Sequence, residues 1–85
     1  MKWSDIEQAQ RSINAGAAWR MEGSVGRHLM SMLEQGLCVL GRDDFYDYWG
    51  NHIPSRDQVK AGTKGSLGYV ETMQGKEHAD KIAAV

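Results

Sequence analysis

Apolar residues recur at steps of three and four along the first part of the chain. Trp3, Ile6, Ala9 or Gln10, and Ile13 fall on one face of a helix. Ser4 and Glu7 have the spacing of a capping box, in which the serine oxygen takes an orphan amide and the glutamate reaches back to the cap. Trp3 stands where an apolar residue often staples the first turn. These signals predict a first helix over about residues 4–14. Asn14-Ala15-Gly16 then reads as its stop, with Gly16 able to take the left-handed conformation.

The longest periodic stripe follows: Ala18, Met21, Val25, His28 or Leu29, Met32 and Leu33. It predicts a second helix over about 17–35, ended by Gly36 and folded back on the first as an antiparallel hairpin. Gly23 and Gly26 lie inside this stretch, each costing roughly 1 kcal/mol relative to alanine in a helix. Two readings are open. The helix runs through them, with a neighbouring backbone close by, or it breaks at Gly23 and restarts with Ser24 as N-cap. The stripe stays in phase across the glycines, which favours the continuous helix.

Leu37 to Leu40 reads as a short strand or a buried extended connector. Residues 41–65 change character, with turn-forming Gly41, Asp43, Asp44, Gly50, Asn51, Pro54, Gly62 and Gly65. Phe45, Tyr46, Tyr48, Trp49 and Ile53 sit among them, so the loop is expected to be packed. Ser66 caps a third helix over about 66–74, where Leu67, Val70 and Met73 share a face and Gly75 ends or kinks it. The tail, 76–85, has Ala79, Ile82 and Ala83 at loose helical spacing, as a frayed helix would. The fold class is mainly α: one small helical domain, residues 1–85, with an N-terminal helical hairpin, a packed aromatic loop and one or two C-terminal helices.

Composition narrows the function. The chain has 85 residues, 41% hydrophobic and 25% charged, which suits one thin core rather than disorder. A net charge of −1 argues against nucleic acid, whose binders usually carry a basic excess. No apolar run is long enough to span a bilayer, and the first residues lack a signal peptide's apolar stretch. The single cysteine, Cys38, implies no oxidising compartment, so a soluble cytoplasmic protein is expected. A thin core with surplus methionine and aromatic surface also suits a homo-oligomer.

Candidate chemistry centres on Gly62-Thr63-Lys64-Gly65-Ser66 at a helix entrance. Glycines let backbone amides face a ligand, and the helix N-terminus and Lys64 supply positive charge. It is not a nucleotide-binding Walker loop, because the lysine precedes the second glycine. The competing reading is a tight turn with an ordinary cap. Arg56 adds a second cation, and Tyr48 and Trp49 could stack a planar ring. For most of the loop's rings the favoured reading is that they cover a small core. Gly23 to His28 is a second anion site only if the helix restarts there. Cys38, between Leu37 and Val39, reads as a buried hydrophobe rather than a nucleophile. His28, His52 and His78 have no zinc spacing, and Asp43, Asp44 and Asp47 lack the rest of a calcium loop. No catalytic motif, metal site or cofactor site is expected.

The Trp19-x-x-x-Gly23-x-x-Gly26-Arg27 and Gly62-Thr63-Lys64-Gly65-Ser66 blocks resemble a family of short phage proteins, mostly from phages of actinobacteria. Leu37 to Gly41, Asp47 to Asn51 and Ile53-Pro54-Ser55-Arg56 are similar to it too. The resemblance implies a setting, a small phage gene acting inside an infected bacterium, and no functional residues. In that setting the expectation is a non-enzymatic accessory protein, counter-defence in role, that binds an anionic small molecule such as a nucleotide signal through Arg56, Gly62, Thr63, Lys64, Gly65 and Ser66, with Tyr48 or Trp49 stacking. The alternative is a protein–protein interaction module aimed at a host protein.

Overall fold

The computed structural model describes residues 2–20 and 23–85. Its helices are α1 (Trp3–Asn14), α2 (Gly23–Glu34), α3 (Leu67–Gln74) and α4 (Lys76–Ala83). A single 3-10 turn, Ala17–Trp19, precedes α2, and a two-stranded antiparallel sheet joins β1 (Phe45–Tyr46) to β2 (His52–Ile53). The fold is mainly α, as expected.

Ile6, Ala9, Gln10 and Ile13 form the buried face of α1. Its start differs from the expected capping box. The N-cap is Lys2, no side chain caps the end, and Glu7 pairs instead with Arg11 one turn on, at 3.6 Å. Trp3 is drawn into the first turn by tertiary contact. Its ring meets the His78 ring edge-to-face at 5.7 Å, and Lys81 Nζ lies 4.5 Å from its centroid. Both partners are on α4, so the two ends of the described chain brace each other.

Gly16, at φ +80, stops α1 as expected; an added Cβ there would meet the Phe45 ring at 2.7 Å. The continuous second helix is not formed. Ala17–Trp19 makes only a 3-10 turn, and α2 begins at Gly23 with φ +71, a conformation that L side chains rarely adopt. Nothing lies within 4 Å of a Cβ placed on Gly23, so backbone conformation rather than close packing calls for glycine. Periodicity survived the break and concealed it. Leu29, Met32 and Leu33 of the stripe are buried, whereas Val25 and His28 are exposed and Met21 lies outside the described residues.

Leu37 to Leu40 is the buried connector, not a strand. Cys38 and Val39 are fully buried among Ile6, Ile13, Met32, Val70 and Ile82. Its backbone finds partners without a sheet. The Leu37 and Cys38 amides donate to Met32 O, the Leu40 amide to Gly65 O, and the Arg56 amide to Gly41 O. Side chains supply the rest. Gln10 bonds both the amide and the carbonyl of Val39, at 2.8 and 2.9 Å. Arg56 Nε donates to Leu40 O at 2.8 Å, and His78 Nε2 donates to Leu37 O at 2.9 Å. A buried backbone group left unpaired costs about 1–3 kcal/mol, which is why polar Gln10 is fully buried here.

Ser66 is the N-cap of α3, its Oγ accepting from the Tyr69 amide at 3.1 Å. Gly75, at φ +97, ends α3 and leads directly into α4. The expected frayed tail is thus an ordered helix, because Ile82 is fully buried and Ala79 nearly so. The expected loop at 45–53 is a short hairpin, with Phe45 opposite Ile53 and Tyr46 opposite His52.

Candidate functional site

The hairpin is stiffened from within. Asp47 Oδ1 accepts from the amides of Trp49 and Asn51 at 2.9 and 2.8 Å, and Oδ2 accepts from Asn51 Nδ2 at 3.1 Å. Backbone bonds from Asp47 N to Asn51 O and from Gly50 N to Asp47 O close the same turn. This is the local aspartate-to-backbone bonding that makes Asp a turn former. At the base, His52 Nε2 and Asp44 Oδ2 are 2.8 Å apart. The bond to His52 holds the Asp44 carboxyl below its ordinary range, and the Asn51 amide does the same for Asp47.

On this frame the rings face solvent. Tyr46, Tyr48 and Trp49 are 65%, 71% and 75% exposed, against the expectation that most of these rings cover the core. Tyr48 and Trp49 meet edge-to-face at 5.2 Å, and Tyr46 tilts over His52 at 5.5 Å. Phe45 alone turns inward, onto Gly16.

Beside the hairpin lies an open groove of about 820 Å³. Its sides are Gly23, Gly26, Arg27, Met30, Ser31 and Glu34 of α2, and Trp19, Trp49 and Ile53 opposite. A second hollow of about 310 Å³ shares Trp19, Met30, Glu34 and Ile53 and extends to Pro54, Lys64 and Gly65. A third, of about 440 Å³, separates α1 from the far side of α2 at Asp5, Ser12, Val25 and His28.

The structure divides the expected anion site. Trp49 and Lys64 line adjoining hollows, and Tyr48 stands next to Trp49. Arg56 is not with them. Only 8% exposed, it donates from Nε to Leu40 O and from Nη2 to Asn14 Oδ1 at 3.1 Å, so its guanidinium serves the interior. Burial pulls its pKa down from the ordinary arginine value. The Gly62–Ser66 segment turns on itself. The Gly62 amide donates to Ser66 Oγ, the Thr63 amide and hydroxyl to Lys60 O, and the Ser66 amide and hydroxyl to Thr63 O. Gly65 packs on Leu40, where an added Cβ would lie 2.7 Å from Cδ1. Gly62, Thr63, Gly65 and Ser66 therefore form a capped turn, the competing reading of this motif.

Arg27, expected only as part of a second anion site at Gly23 to His28, lines the groove together with Met30 and Glu34, which the sequence reading did not single out. Their spacing of three and four, continuing from Gly23 and Gly26, marks a helix face distinct from the buried Leu29, Met32 and Leu33. That second stripe was available as a signal. Burial pushes the Cys38 thiol up to about 12, so it stays protonated and unreactive. Among the described residues no cluster of three His, Cys, Asp or Glu could hold a metal ion, and no helix is long and apolar enough to cross a membrane.

The class of molecule defined by fold and site is a small, mainly helical domain with an internally hydrogen-bonded aromatic hairpin beside an open groove. No protein-family model, curated protein or solved structure matches the chain.

Proposed function

We propose that this chain is a non-enzymatic protein–protein interaction module that engages its partner with the aromatic hairpin. The observation carrying this reading is the exposure of Tyr46, Tyr48 and Trp49 on a turn that Asp47 holds rigid. Large aromatic side chains dominate binding hot spots, and rings held in place before binding lose little entropy on docking. Asp43 and Asp44 at the base and Asp47 in the turn make the hairpin acidic, which favours a protein surface over phosphates. In the phage setting implied by the resemblance, the partner is a protein of the infected bacterium.

A photo-crosslinking amino acid placed at position 48 tests this in bacteria expressing the chain. One discrete adduct, lost on Trp49→Ala, is the expected result. Adducts that form equally well from the α3 surface and ignore Trp49→Ala would overturn it.

A second reading, an anionic ligand with a planar ring such as a nucleotide signal, is supported by Trp49, Arg27 and Lys64 lining adjoining hollows. A thermal-shift screen against nucleotides and cyclic dinucleotides separates the two. A ligand at a hundred times its Kd adds about 2.7 kcal/mol, several degrees for a domain of this size.

A further inference from the structure

We propose that the groove beside the hairpin is a self-complementary surface where two copies of this chain pair through α2, antiparallel about a two-fold axis. The face that α2 turns to the groove carries Gly26, Arg27, Met30, Ser31 and Glu34. Arg27 and Glu34 lie equally far, on opposite sides, from the boundary between Met30 and Ser31. A two-fold axis through that boundary sets Arg27 of each copy against Glu34 of the other. It brings Met30 of one against Ser31 of the second, and Gly26 removes bulk at the end of the contact.

This charge arrangement is the signature of an isologous interface, in which residue i meets j and j meets i. Within one chain the two charges are seven residues apart, about 10 Å along the helix, too far to pair with each other. Neither has an ion-pair partner among the described residues. A foreign helix of arbitrary sequence has no reason to match this spacing, whereas a second α2 matches it by construction. Burial favours the same occupant. Met30 is 45% and Trp49 75% exposed, and covering the groove removes apolar surface from water.

Pairing and the hairpin's partner share Trp49, which lines the groove, whereas Tyr46 and Tyr48 do not. Dimer and partner complex therefore compete for that ring, and the pairing is tested with no partner present.

Sedimentation of the full chain over a concentration series tests the pairing. The unsubstituted chain should dimerise. Arg27→Glu and Glu34→Arg alone should each weaken the dimer at least about tenfold, because each turns two attractive pairs into like-charge contacts. The double variant, Arg27→Glu with Glu34→Arg, should restore it. Both side chains are exposed, and circular dichroism of each variant verifies the fold. In a second measurement, Ser31→Cys should give a disulfide-linked dimer on mild oxidation, while Val25→Cys, on the opposite side of α2, should not. A monomeric unsubstituted chain overturns the proposal. So does a dimer indifferent to the single reversals, or a folded double variant no better associated than the singles.

Discussion

The connector Leu37 to Gly41 and the hairpin Phe45 to Ile53 lie four residues apart in sequence and follow opposite rules. The connector is buried, yet polar side chains sustain it: Gln10, Arg56 and His78 reach in to bond its backbone. The hairpin is exposed, yet three of its rings face water. In a larger domain the interior strand would pair with other strands and the rings would fill the core. Here the core is too thin to hold a sheet, so single side chains act as the missing strands and the rings remain available. The lesson concerns division of labour: polarity is spent inside on stability, and apolar surface outside on recognition.

The largest expected effect breaks the connector. Arg56→Ala leaves the Leu40 carbonyl and Asn14 Oδ1 without this donor and should destabilise the fold by about 3 kcal/mol, read by urea unfolding. Loss of so much from so small a domain should leave the chain partly unfolded at 37 °C. If Arg56→Ala instead unfolds like the unsubstituted chain, the guanidinium is not structural. Gln10→Leu keeps the volume but strips both Val39 bonds, and about 2 kcal/mol should go. Gly16→Ala forces both a left-handed alanine and contact with Phe45, costing roughly 1–2 kcal/mol. Its effect should also appear as a change in the Trp49 fluorescence, since Phe45 anchors the hairpin.

At the hairpin the stability effects should be slight. Trp49→Ala should alter unfolding by less than about 0.5 kcal/mol while weakening partner capture at least about tenfold. Acid sharpens the contrast. Asp44 and Asp47 have carboxyls lowered in the folded hairpin, so they stabilise it above the ordinary carboxylate value, about 3.9. Their contribution is lost as pH falls through the depressed folded values, because the open turn takes up protons more readily. NMR shifts of Asn51 should therefore move as the pH falls below the ordinary carboxylate value, about 3.9, and Asp47→Asn should remove its share of the change.

What the sequence revealed was local. The buried face of α1, its stop at Gly16 and the Ser66 cap depend on neighbours within a turn, and these were legible. The break before α2 was legible at Gly23 only as the less favoured of two readings, because a 3-10 turn followed by a fresh helix left the apolar stripe nearly in phase. Arg56 looked like a ligand-binding cation because its partners, Leu40 and Asn14, are sixteen and forty-two residues away. Likewise α4 looked frayed, since Trp3 braces it from the other end of the chain. Of the expected site, Trp49, Tyr48 and Lys64 are at or near the groove. The glycine turn was recognisable as a motif, but its closure on Ser66 depends on backbone geometry that composition does not encode.

The manner in which the connector is held has a kinetic consequence. The Val39 amide is released only when Gln10 withdraws, and its neighbours are pinned by contributions from residues 32, 56, 65 and 78. No single helix can detach without disturbing that knot, so partial opening gains little. In deuterated water Val39 should be among the last amides to exchange, at the rate of whole-molecule opening, while Trp49 exchanges orders of magnitude sooner.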